Sequence, residues 1–232
     1  MFFIDPLYFI MVMPAVLLGL YAQYKVKRAY GKYARVGNAS RLTGLQAARQ
    51  LLGSAGLSHV RIEGVPGQLS DNYDPRDKVL HLSEGVARTA SVASMAIVAH
   101  EVGHAIQDAQ DYAPLRLRGF IVPGVKVGSW VGPALFFIGL LANSEPLALI
   151  GLLLFSLLAL FALVTLPTEF NASSRAMALL TSSGMVVGQE EEKGARAVLD
   201  AAALTYVAYA LQVLLQLLYY VMLFTGGNRR RR

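Results

Sequence analysis

The residues best placed to do chemistry are His100, Glu101 and His104, in the run His-Glu-Val-Gly-His at positions 100–104. On a helix, a spacing of four puts both imidazoles on one face about one turn apart. Two neutral imidazole nitrogens suit zinc, and one Zn2+ per chain is expected. A glutamate beside the first histidine is placed to take a proton from a water that the metal activates. The alternative is a pair of core histidines flanking a buried glutamate. That would bury an ionisable group without a partner behind the apolar stretch Ala96-Ile97-Val98-Ala99, which is costly. The chain has only 4 histidines, so the spacing is uncommon by chance. Gly103 leaves room for a neighbouring element to approach.

Two histidines are one protein ligand short, because catalytic zinc uses three plus a water. There is no cysteine, which excludes a thiolate site, and positions 107 and 110 are glutamine, which excludes a third histidine at short spacing. His59, His81 and the later carboxylates remain as candidates. Glu169 fits best. Pro167 suits the first turn of a new helix, on which Glu169, Ala172, Ser173 and Ala176 share one face that is small apart from the carboxylate. Such a face can press closely on the helix carrying Gly103. The alternative for Glu169 is a carboxylate favoured by the dipole at a helix N-terminus. Glu190-Glu191-Glu192 reads as a solvated helix start.

The elements that must position these groups are mostly apolar. Of 232 residues, 55% are hydrophobic and 16% charged, with a mean hydropathy of +0.46. Soluble domains carry about 25% charged residues, so the composition points to a membrane protein. Uncharged stretches run over 6–24, 127–144, 146–168 and 201–228, and each is long enough to span a bilayer. The first lacks a positive leader and a small-residue cleavage site, so it reads as a retained anchor. Lys25, Lys27, Arg28, Lys32 and Arg35 follow it, and Arg116, Arg118 and Lys126 precede the second. The positive-inside rule places 25–126 in the cytoplasm. A hairpin of the second and third spans returns Glu169 to the same side as His100 and His104. The fourth span then puts Arg229–Arg232 on the outer side, against the rule, unless part of 201–228 is a soluble helix with the span starting near Tyr206. The net charge of +6 sits beside the spans, where orientation and lipid headgroups account for it, so nucleic acid is not an expected partner.

The organisation expected is an anchor at 1–24, a cytoplasmic α+β region at 25–126, a transmembrane hairpin at 127–168, cytoplasmic helices at 169–200, and a final span with a basic tail at 201–232. Within 25–126, residues 42–52 have helical spacing, with Thr43 as cap and Gly53 as stop. Residues 60–65 and 79–83 read as strands. The stretch 71–76 is dense in turn formers, and 89–110 reads as helix. An extended substrate is expected to add to the edge of strand 79–83.

The run His100-Glu101-Val102-Gly103-His104-Ala105-Ile106-Gln107, together with Leu166-Pro167-Thr168-Glu169-Phe170-Asn171-Ala172-Ser173, resembles the YugP-type membrane zinc metallopeptidases of bacteria. Leu69–Arg76 and Ala201–Val207 are similar to that family too, and the likeness covers nearly the whole chain. More distantly, the pattern resembles the HtpX-like gluzincins, whose third ligand lies in a Glu-aromatic-x-Ala-Asp pattern. Here Glu169, Phe170 and Ala172 match, and Ser173 stands where that pattern has an aspartate supporting a ligand histidine. The resemblance implies a mainly α integral membrane protein. It would have about four transmembrane helices and a small α+β gluzincin-like zinc-peptidase core at the membrane surface. It also implies peptide-bond hydrolysis in the bacterial plasma membrane, with a cytoplasmic active site acting on peptides or membrane proteins. An oligomer or a regulatory membrane partner is compatible with it.

Three groups of residues fill the remaining roles. Tyr206 and Arg175 are candidates for stabilising the oxyanion, although an interfacial aromatic anchor and a simple carboxylate partner are the respective alternatives. Ser173, Asn171 and Asp74 are candidates for supporting a ligand by hydrogen bonds, with turn chemistry the alternative for Asp74 and its neighbour Asn72. A membrane scaffold with a structural zinc, completed by His81 or Asp74, is the rival to an enzyme. A metal transporter would carry His or carboxylate groups inside its spans, and the uncharged stretches have none.

Overall fold

A computed structural model describes residues 5–229. The terminal arginines 230–232 lie outside the described residues. Among the described residues, seven helices and three short strands follow in the order α1 (Pro6–Tyr33), α2 (Gly44–Ser54), β1 (Arg61–Val65), β2 (Asn72–Asp74), β3 (Val79–Ser83), α3 (Glu84–Arg88), α4 (Val92–Ala109), α5 (Ala113–Leu141), α6 (Glu145–Ser182) and α7 (Gly188–Arg229). The chain forms two compact units. One gathers the described residues up to Tyr21 with Pro114–Pro167 and those from Thr205 onward, and the other gathers Ala22–Ala113 with Thr168–Leu204.

The first unit is helical. Helices α1, α5, α6 and α7 are each long and apolar enough to cross a membrane. Among helices in lipid, apolar burial does not favour association, so close packing must do so. Gly132, Gly139 and Gly151 supply it. A methyl group at Gly139 would overlap Ala148, and one at Gly151 would overlap the backbone of Phe136. Phe136 is fully buried and stacks on Tyr220 with ring centroids 4.8 Å apart. Large apolar side chains such as Ile10, Phe120 and Trp130 are exposed on this unit, as expected of surfaces that meet lipid.

The second unit has the mixed core. Thr43 caps α2 with a full capping box to Gln46, two backbone groups being satisfied reciprocally. The helix runs on through Gly53 to Ser54 and stops at the left-handed Gly56 instead. The turn-forming stretch at 71–76 holds a short strand, β2. Asn72 and Tyr73 are followed by a turn in which Arg76 N–H donates to Asp74 Oδ1, and β2 then pairs antiparallel with β3. The strand order is β1-β3-β2, with β1 parallel to β3. β3 is therefore central and hydrogen-bonded on both sides, which overturns the expectation that a substrate adds to its edge.

Behind the sheet lies α4. Ser91 caps it by accepting from Ser94 N–H, and most of its residues are buried. Tyr73 O–H donates to Asp108 Oδ2 over 2.6 Å, and Lys78 pairs with the same carboxylate. The sheet is thereby tied to the last turn of α4. Burial, followed by that hydrogen bond, pushes the Tyr73 phenol well above its ordinary range.

The helices pass the boundaries that charge had suggested. Pro167 is inside α6, not at the start of a new helix, so Glu169 is not an N-terminal residue. A proline interrupts only one backbone hydrogen bond. A long apolar helix tolerates that better than a break exposing several backbone groups. Helix α7 likewise runs unbroken from Gly188.

Candidate metal centre

Two helices of the second unit build the site. α4 carries His100, Glu101 and His104. The stretch of α6 from Thr168 to Ser182 carries Glu169. They meet because both faces are small. A Cβ on Gly103 would lie 2.8 Å from the Ala172 carbonyl oxygen, and Ala172 and Ala176 are fully buried. Gly103→Ala should therefore force the two backbones apart. The expected cost is about 1–3 kcal/mol, visible as a lowered melting temperature. Zinc binding should weaken with it, since Glu169 lies on the same helix as Ala172. Wild-type melting and zinc affinity in this variant would refute the close-packing account.

The three ligand-type side chains converge. The ligand atoms of His100, His104 and Glu169 all lie within 4.8 Å of one another. Glu169 Oε2 is 3.1 Å from His100 Nε2 and 3.4 Å from His104 Nε2. The imidazoles are nearly perpendicular, with centroids 4.7 Å apart. Glu169 is 2% exposed and Glu101 and His104 8% each, so the charges sit in a nearly dry environment. Burial pushes the Glu101 carboxyl above the usual carboxylate range, against the opposing pull of His100 and His104. For His104, burial favours the neutral ring, yet its hydrogen bond to Glu169 and the charge of Glu101 outweigh this and raise its pKa.

The donor set fits zinc: two Nε2 atoms and one carboxylate oxygen face one point, with the far nitrogens of both rings engaged elsewhere. His100 Nδ1 lies 3.2 Å from Ser173 Oγ. His104 Nδ1 lies 2.9 Å from Gln107 Oε1. Such contacts orient a ligand ring and fix which nitrogen is bare.

In the sequence Gln107 stands out as the absence of a third histidine and as the end of the run that carries the family resemblance. It is fully buried, and its Nε2 donates to Thr168 O at 2.8 Å and to Asn171 Oδ1 at 2.9 Å. Its place one turn after His104 was the available signal. Arg175 donates from Nε to Asn171 Oδ1 at 2.7 Å. Asp74 is on β2 and is occupied by its own turn, while His81 is on β3; neither belongs to the metal-type group. Tyr206 belongs to the first unit. A groove of about 620 Å3 opens between α6 and α7 within the second unit. Phe170, Ser173, Met177, Arg196, Leu199 and Asp200 are among its lining residues.

The family described as "Putative neutral zinc metallopeptidase" matches residues 8–225. A curated relative, "Putative membrane protease YugP" of Bacillus subtilis (strain 168), is 44% identical over 222 residues, covering 96% of this chain and 98% of the relative. No solved structure matches the chain significantly.

Proposed function

The chain belongs to the neutral zinc metallopeptidase family, and from that premise we propose that it is a multi-pass membrane metalloendopeptidase. In this reading it cleaves membrane-associated proteins or peptides at the cytoplasmic face of a bacterial plasma membrane, with a gluzincin-like core. The observation that carries the reading is the convergence of His100, His104 and Glu169 within 4.8 Å, with buried Glu101 on the same helix as the two histidines. Basic residues flanking the spans support the cytoplasmic face. The groove beside Ser173 has the volume and mixed lining of a site for a peptide side chain.

His100 and His104 would hold the metal through Nε2, and Glu169 through a carboxylate oxygen. Zinc held there would supply Lewis acidity, which would polarise a peptide carbonyl and ease the ionisation of water near neutral pH. Glu101 takes the proton of the attacking water and delivers it to the leaving amine, so that the amine departs neutral. The scissile bond breaks, the new carboxyl group gives up its remaining proton to solvent, and a carboxylate and an amine are released.

The rival reading, a scaffold with structural zinc, needs four protein ligands. Among the described residues the metal-type group contains three, which favours a position left open for chemistry. Comparing the proteomes of cells carrying wild-type and Glu101→Gln protein tests the peptidase reading. Membrane peptides or protein fragments are expected to change, with intact substrates accumulating in the variant. Identical peptide profiles would count against it.

A further inference from the structure

Zinc binding by His104 requires its Nε2 to be bare and the ring proton to be on Nδ1. We propose that Arg175, which makes no hydrogen bond to His100, His104 or Glu169, sets this together with the Thr168 carbonyl through a one-way hydrogen-bond chain, and that Arg175, Asn171 and Gln107 are positioning residues for the metal. This rests on the assignment of His104 as a zinc ligand.

The direction of the chain follows from what each group can do. Arg175 Nε can only donate, so the Asn171 atom 2.7 Å away must be oxygen. The same oxygen is 2.9 Å from the Gln107 amide, so the Gln107 atom there must be nitrogen. Thr168 O, 2.8 Å from that nitrogen, is a carbonyl and can only accept, which demands nitrogen again. Flipping the Gln107 amide would set its oxygen against two acceptors in a fully buried place, which is costly. The Gln107 oxygen is thereby fixed toward His104 Nδ1, at 2.9 Å, and only a protonated Nδ1 completes the contact. Every step has one allowed polarity, starting from a cation that does not deprotonate. The links are also placed for it. Gln107 follows His104 by three residues on α4, Asn171 and Arg175 are four apart on α6, and Glu169 is two residues before Asn171. The chain thus holds His104 to the helix that supplies the third ligand.

The test is zinc affinity of purified full-length protein, measured by competition with a chelator, for wild type, Arg175→Met, Arg175→Lys, Asn171→Leu and Asn171→Asp. Loss of partners behind a ligand typically costs about 10- to 100-fold in metal affinity. Arg175→Met and Asn171→Leu should lose affinity in that range. Arg175→Lys keeps a donor and Asn171→Asp keeps an acceptor, so both should recover most of it, which a mere packing role does not predict. In proton spectra of zinc-loaded, 15N-histidine-labelled protein, the His104 Nδ1–H should be slowly exchanging in wild type and exchange rapidly in Arg175→Met. Should Arg175→Met fail to fold, the Asn171 pair decides alone. Wild-type affinity and an unchanged His104 signal in Arg175→Met, or equal losses in Asn171→Leu and Asn171→Asp, overturn the proposal. Failure of wild type itself to bind zinc overturns instead the assignment on which it rests.

Discussion

Glu169→Ala is expected to strip the protein of zinc. Two imidazoles from one helix are an incomplete site, and the third ligand atom comes from a different helix, 3.1 and 3.4 Å from the two histidine nitrogens. Losing a ligand should cost more than the roughly 10- to 100-fold that losing a ligand's hydrogen-bond partner costs. Hydrolysis should fall with metal occupancy. The substitution also removes the Glu169 hydrogen bond and charge that raise the His104 pKa, so more of the apo population should have a neutral His104 ring. Zinc per chain after dialysis checks the first point. Full retention of zinc would show that another group completes the site.

Glu101→Gln is expected to separate binding from chemistry. The replacement has nearly the same shape, removes a buried charge, and leaves His100, His104, Glu169, Ser173 and Gln107 untouched. Zinc should stay bound at one per chain. Cleavage of a reporter peptide should drop by about 10²–10⁴-fold, the usual contribution of a positioned acid–base group. An unchanged rate would remove Glu101 from the mechanism.

The local part of this site was legible in the sequence. The fixed geometry of a helix makes His100, Glu101 and His104 neighbours whatever surrounds them. Glu169 was legible through the small face it shares with Ala172 and Ala176, which Gly103 meets in the structure. The sites of the four apolar helices were legible from the spacing of charges, but their ends were not. A charge marks where a span leaves apolar surroundings, and the helix itself continues, as α6 does through Pro167. The strand order was hidden for a different reason. Residues 72–74 read as turn formers, and only pairing with β3 makes them a strand. Gln107 was missed because its partners, Thr168 O and Asn171, are about 60 residues away, and its place one turn after His104 was the sole local signal of a role.

The central claim is an open zinc site built by two histidines and Glu169. Zinc K-edge X-ray absorption of the purified, loaded protein, with and without a hydroxamate, tests it most directly. The expected spectrum contains two imidazoles with light-atom ligands completing the shell, and it changes when the hydroxamate takes the open position. A different imidazole count, or a closed shell that the hydroxamate leaves unaltered, would contradict the account.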